Sequence, residues 1–124
     1  MTTMKIEVDD ESLKIYNEMK DKHKYSYSIF KFSNDFKKLI VDKTASPEKT
    51  SDDFLNDLPP NDVRIALLGR GHTNQKLYFI YWAPDAAPIR VKMFLAHVLY
   101  DIKQVFSTSI SDCGLQAEIA NYQK

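Results

Sequence analysis

Apolar and polar positions change period several times along this chain, and each change marks an element. The longest regular stretch runs from Tyr78 to Phe106, YFIYWAPDAAPIRVKMFLAHVLYDIKQVF. It begins as a strand, breaks at Pro84 and restarts at Pro88 as a helix, where the missing proline N–H has no intrahelical partner to lose. From Pro88 to Phe106 there is no further proline and no glycine, which allows roughly 28 Å of helix at about 1.5 Å per residue. At about 100° per residue, one arc carries Phe94, Val105, Val98, Val91, Ile102, Leu95, Phe106 and Leu99. That arc is continuous and suited to covering a sheet. The opposite arc carries Lys92, Lys103, Gln104, His97, Arg90 and Asp101, and among them Ile89, Met93 and Tyr100. A helix that only closed a core has no use for these three on its outer side. Either a terminus or loop covers them while Tyr100 snorkels, or they form a partner-binding ridge of apolar anchors in a basic rim.

The remaining pattern predicts the other elements. DDESLKIYNEMKDKH reads as a first helix, capped by Asp9 or Asp10, with Glu11 in the first turn and a partial stripe of Leu13, Ile15, Tyr16 and Met19. In YSYSIFKF the period becomes two. Tyr25, Tyr27 and Ile29 alternate with serines, then Phe30 and Phe32 shift the apolar phase, which permits a bulge or an early turn. Ser33-Asn34-Asp35 predicts a turn, and Phe36 to Val41 the second strand of a hairpin.

TASPEKTSD reads as a loop, with Ser51 as N-cap of a short helix, DDFLNDL, docked through Phe54, Leu55 and Leu58 and stopped by Pro59-Pro60. VRIALLG and KLYFIYW predict two strands of a central hairpin, joined by a turn from His72 to Gln75; Arg64 suggests that the first has a partly open side. FSTSISD predicts a further short strand or an extended link, with Ile110 as its buried residue. CGLQAEIANYQK predicts a last helix, capped by Asp112 and returning Leu115, Ile119 and Tyr122 to the core. The order is α-β-β-α-β-β-α-β-α. Helices too short to stand alone imply a five-stranded sheet covered on both faces, an α+β fold.

Composition narrows function more than fold. The 124 residues suit one domain spanning 1–124, with one core. Seventeen basic and seventeen acidic residues cancel, which gives no push toward nucleic acid. The lone Cys113 excludes an intrachain disulfide and a multi-cysteine metal site, and a free thiol fits a reducing compartment. No apolar run approaches a membrane span. The start, MTTMKIEVDD, has no apolar signal core, so a cytoplasmic protein is expected.

Candidate chemistry is sparse. His23, His72 and His97 share no metal-binding spacing. Gly69-Arg70-Gly71 is too short for a phosphate cradle and reads as a hairpin turn. Asp9-Asp10 and Asp52-Asp53 read as helix starts. Lys37-Lys38 reads as a solvated face beside a turn that could touch an acidic partner. No catalytic constellation, cofactor or metal is expected.

The chain resembles the actin-depolymerising factor/cofilin family over nearly its whole length. VDDESLKIYNEMK is similar to the family's first helix and its approach, and DFLNDLPPNDVRIALLG to its second helix and the strand beyond. FIYWAPDAAPIRVKMFLAHVLYDIKQ is the most specific segment, resembling the family's strand, WAP turn and long actin-binding helix. The resemblance implies a central mixed, mostly antiparallel sheet sandwiched by helices. It also implies binding to actin monomers and filament sides, with severing, depolymerisation and faster turnover, by a protein that is monomeric in isolation and acts in the cytoplasm on the cytoskeleton.

On the long helix the matching positions are Ile89, Arg90, Lys92, Met93 and His97. Ile89 and Met93 are implied as apolar anchors, and Arg90 and Lys92 as partners of actin carboxylates. Filament-side contacts are implied at Arg70, His72 and Lys76, and at Glu118 and Lys124. Phosphoinositides are a further family ligand. The chain departs from the family in having Thr2 and Thr3 but no serine before Ser12, Leu99 where a lysine is common, and no nuclear-targeting insertion. Alternatives within the fold are a coactosin-type filament-side binder without strong severing and an Arp2/3-binding debranching relative of glia maturation factor.

Overall fold

Strand pairing and helix capping account for most of the backbone in the computed structural model, which describes residues 6–22, 24–70 and 76–106. The elements are β1 (Glu7–Val8), α1 (Asp10–Lys22), β2 (Tyr27–Phe32), β3 (Lys38–Ala45), α2 (Ser51–Asn56), β4 (Arg64–Arg70), β5 (Lys76–Trp82) and α3 (Ile89–Phe106). The five strands form one sheet in the order β1-β3-β2-β4-β5. Among the described residues only the β1–β3 pair is parallel; the other three pairs are antiparallel. This is the mixed, mostly antiparallel sheet between helices that the family resemblance implied.

Both faces of the sheet are covered, and the sequence alternates between two cores accordingly. Phe30, Ile65, Leu67 and Phe79 face the layer of α1 and α3, with Met19, Leu95, Val98, Ile102 and Phe106. Tyr27, Ile29, Ala66, Leu68 and Ile80 face α2, with Phe54 and Leu58. Apolar residues therefore occupy both phases of β2 and β4, as expected for strands buried on two sides. The phase change at Phe30 has the same cause: even positions serve the other layer. The register does shift between Ile29 and Phe30, but the extra residue, Asp42, lies on β3, since Ile29 pairs with Lys43 and Phe30 with Val41.

Several local expectations change. The Asp9 carboxylate caps α1 by accepting the Ser12 N–H at 2.9 Å. The N-cap of α2 is Thr50 rather than Ser51, in a capping box with Asp53; the hydroxyl and the carboxylate each satisfy a free backbone N–H. Two-residue β1 was too short to show a period. Phe36 belongs to the β2–β3 turn, at φ 60°, and the second strand starts at Lys38.

The β4–β5 hairpin is not central. β4 is interior and β5 is the edge among the described residues. Arg64 marks no open side: it stands at the strand's first residue, where Asp42 at 3.0 Å and Asp62 at 2.9 Å neutralise it. Val105, placed by its angle on the buried arc, is 43% exposed. The predicted turn His72 to Gln75, the strand FSTSISD and the last helix with Asp112 lie outside the described residues.

A polar bond ties β2 to the end of α2. The Tyr27 hydroxyl donates to Asp57 Oδ2 at 2.6 Å, and Lys43 Nζ lies 3.2 Å from Asp57 Oδ1. Burial, then the bond to Asp57, pushes the phenol above the ordinary tyrosine range. The bond from Tyr27 holds the Asp57 carboxyl below its ordinary range, with Lys43 adding to the effect. A depressed carboxyl stabilises the fold above the unfolded value and loses that contribution as pH falls through the folded one, here below about pH 4. A raised phenol stabilises below about pH 10 and loses its contribution as pH rises. Tyr27→Phe is expected to cost about 1–2 kcal/mol at neutral pH and to flatten both limbs. Urea unfolding of the two proteins from pH 3 to pH 11 checks this; parallel curves would show that the bond carries no net stability.

Candidate functional site

The approach to α3 fixes its orientation. The Trp82 indole N–H donates to the Pro59 carbonyl at 2.6 Å and pins the end of β5 to the segment after α2. Beyond it the chain turns, with the Ala87 N–H bonded to the Pro84 carbonyl at 3.0 Å. The Pro88 carbonyl then accepts from the Val91 and Lys92 N–H groups, both at 3.1 Å. Pro88 thus opens the helix at a position that asks no N–H of it.

Leu95, Val98, Ile102 and Phe106 are buried and anchor α3 on the sheet. Their burial leaves the opposite side facing outward. There Ile89 is 71% exposed, Met93 58% and Tyr100 69%. Arg90, His97 and Asp101 are exposed beside them. Positions 89, 93, 97 and 100 are spaced by three or four residues, so they form one stripe, about 16 Å long at the helical rise. Of the two readings of the outer arc, the described residues support the uncovered ridge.

All five expected long-helix residues thus lie on or beside one face. Lys92 is the least exposed; its Nζ approaches the Asp85 carbonyl at 3.4 Å. Arg90 and Lys92 form no salt bridge among the described residues, so both charges are available to a partner. The second expected group is less defined. Arg70 and Lys76 face each other as the last backbone pair of the β4–β5 hairpin. His72, Glu118 and Lys124 lie outside the described residues.

The sequence reading missed one neighbour of this site. The Phe36 ring is 5.2 Å from Phe94 of α3 and 6.1 Å from Phe32 of β2, while Phe32 and Phe94 are 4.9 Å apart. The odd placement of a phenylalanine beside Asn34-Asp35 was the available signal, but strand periodicity absorbed it. Among the described residues no group of three His, Cys, Asp or Glu side chains could hold a metal ion. No described helix is long and apolar enough to cross a membrane.

Known proteins are similar to this chain in sequence and fold. A family model described as cofilin/tropomyosin-type actin-binding protein matches residues 5–120. The chain is 36% identical over 119 residues to an actophorin of Entamoeba histolytica, covering 92% of this chain and 82% of that protein. It is 37% identical over 108 residues to a cofilin of Schizosaccharomyces pombe, covering 82% and 77%. The crystal structure of Streptomyces griseoflavus cofilin superposes with a TM-score of 0.78 at 27% identity, covering 95% of this chain and 92% of that one.

Proposed function

Since the chain belongs to the cofilin/tropomyosin-type family of actin-binding proteins, we propose that it binds actin through the outer face of α3 and so remodels filaments. The observation that carries this reading is the uncovered stripe of Ile89, Met93 and Tyr100 beside Arg90. Apolar side chains at the centre of a contact supply most of its affinity, and charges at its rim supply encounter rate and orientation. In this reading Ile89, Met93 and Tyr100 enter an apolar cleft of actin, His97 lies between them, and Arg90 and Lys92 meet carboxylates at its edge.

The work done on actin is conformational. A ligand that binds one subunit conformation more tightly shifts the population toward it. If the favoured conformation fits its filament neighbours poorly, the contact between subunits weakens, which promotes severing and depolymerisation. Monomer binding is centred on the α3 face. Binding along filaments adds a second surface, for which Arg70, His72, Lys76, Glu118 and Lys124 are the candidates. The site of action is the actin cytoskeleton of the cytoplasm.

A titration with purified actin tests the proposal, with labelled monomers for affinity and single filaments under the microscope for breakage. Tight monomer binding, and fragmentation at coverage below one protein per subunit, are the expected results. Binding along filaments without breaks or monomer affinity would replace the proposal with a coactosin-type role. Absence of binding to either form would overturn it and make the Arp2/3 complex the next partner to assay.

A further inference from the structure

Five large apolar side chains are exposed among the described residues: Phe36, Ile89, Met93, Tyr100 and Val105. Four belong to α3. The fifth, Phe36, reaches α3 across space by packing on Phe94. Its backbone is at φ 60°, a region that crowds any side chain with a Cβ and is normally left to glycine, asparagine or aspartate. Asn34 and Asp35 stand next to it, yet the left-handed position is given to the aromatic residue.

The surrounding turn is built to hold it there. The Phe36 N–H donates to the Ser33 carbonyl at 2.9 Å. The Asp35 carboxylate accepts from the Ser33 hydroxyl at 2.7 Å and from the Lys37 N–H at 3.1 Å. Those two bonds, the hydroxyl first, hold the Asp35 carboxyl below its ordinary range. On the far side the Lys37 carbonyl accepts the Glu7 N–H of β1 at 3.0 Å.

Contacts with Phe32 and Phe94 cover part of the ring, and 41% of the residue still faces outward. Phe94 lies one helical turn after Arg90 and one before His97, so Phe36 borders the flank of the α3 stripe. Lys37 and Lys38 follow it, exposed and without a salt bridge among the described residues. Apolar surface with a basic flank therefore continues from α3 onto the turn, with the sign of charge that Arg90 and Lys92 carry.

We propose that the β2–β3 turn is a second contact for actin, on the same subunit that α3 engages, with Phe36 as apolar anchor and Lys37 and Lys38 as its charged flank. The proposal rests on the actin reading above. It differs from a purely local role, in which Phe36 only fastens the turn to α3.

Phe36→Gly removes the ring while glycine adopts the turn's backbone freely, so a loss of affinity with an unchanged thermal midpoint separates the actin contact from the local role. A second variant, Lys37→Glu with Lys38→Glu, keeps the ring and reverses the charge. Each is compared with the intact protein and with Arg90→Ala, Lys92→Ala for affinity to actin monomers and for thermal midpoint. The expected result is a five- to tenfold loss of affinity in each turn variant, with a salt-dependent loss in the charge variant. Combining the turn and α3 changes should multiply the losses, as two sites on one subunit require. Unchanged affinity in both folded turn variants, while the α3 variant loses affinity, would overturn this inference alone. If the intact protein bound no actin, the actin reading and the turn contact would fall together. If Phe36→Gly failed to fold, the charge-reversed variant would decide in the same way.

Discussion

Replacing Arg90 and Lys92 together by alanine is expected to weaken actin-monomer binding between tenfold and a hundredfold while leaving the fold intact. The structural half of this expectation follows from where the two side chains end. Arg90 is exposed. Lys92 is half-buried, and its side chain's bond is the long one to the Asp85 carbonyl. Neither removal strands a buried partner, so the stability change should lie within about 0.5 kcal/mol. The binding half follows from charge. Each cation that meets a carboxylate at a contact edge contributes on the order of 1 kcal/mol, and more as water is excluded. Two such losses correspond to a factor of roughly ten or more at about 1.4 kcal/mol per decade. The loss should shrink as salt is raised, because screening weakens the intact protein's advantage. Fluorescence titration of labelled monomers at two ionic strengths, with a circular dichroism melt of both proteins, checks both halves. Equal affinities for two folded proteins would remove Arg90 and Lys92 from the interface.

Legibility of the fold depended on how many residues each signal could draw on. The long helix was readable within one residue of both ends because eighteen residues repeat one period and Pro88 fixes the start. β4 and β5 were readable as strands because their apolar runs are short and bounded, but their places in the sheet were not. Which strand lies inside depends on β2 pairing with β4, a contact between distant segments that no local pattern encodes. β1 was lost because a pair of residues cannot display alternation. Phe36 was drawn into a strand because a phenylalanine beside a lysine matches strand composition. Its position is decided instead by the rings of Phe32 and Phe94. The N-cap of α2 was misplaced by one residue because Thr50 and Ser51 are equivalent cappers by type. Asp53 decides between them, being correctly placed for a capping box only with Thr50.

The candidate site divides along the same line. The α3 ridge was legible because it is a violation of a strong pattern: apolar residues on the polar arc of an otherwise regular helix. Such local inconsistency is where binding surfaces are expected. What the spacing left open was whether another segment covers them, and their exposure in the fold now answers this for the described residues. The Phe36 turn was illegible for the opposite reason. It joins the ridge only through tertiary contact with Phe94, across a sequence gap that no helical or strand period spans. Spacing placed these residues on the outer arc, and the resemblance supplied their roles toward actin, so mutation carries the burden for each of them.

The largest loss of stability is expected at Phe106, on the buried side of α3. This residue closes α3, is fully buried, and packs its ring 5.3 Å from Tyr16, 5.3 Å from Phe30 and 6.3 Å from Phe79. One side chain therefore joins α1, β2 and β5 to the helix that carries the ridge. Phe106→Ala removes contacts to three elements at once and leaves a cavity that none of them can fill alone, at a cost of about 3–5 kcal/mol. Against a total of about 5–15 kcal/mol for a small domain, that is a large fraction. Phe106→Leu keeps most of the volume and should cost less than half as much. Urea unfolding of the three proteins measures both costs. A loss below about 1.5 kcal/mol for the alanine variant would mean that neighbouring rings collapse into the space, and that Phe106 is not the joint inferred here. The actin titration then supplies the complementary result. Phe106→Ala should lower the concentration of folded, binding-competent protein without changing the affinity of what remains folded, whereas the Arg90 and Lys92 change should do the reverse. An equal loss of intrinsic affinity in folded Phe106→Ala would show that the ridge is held in its binding geometry from the far end of α3, through the ring cluster on the other side of the helix.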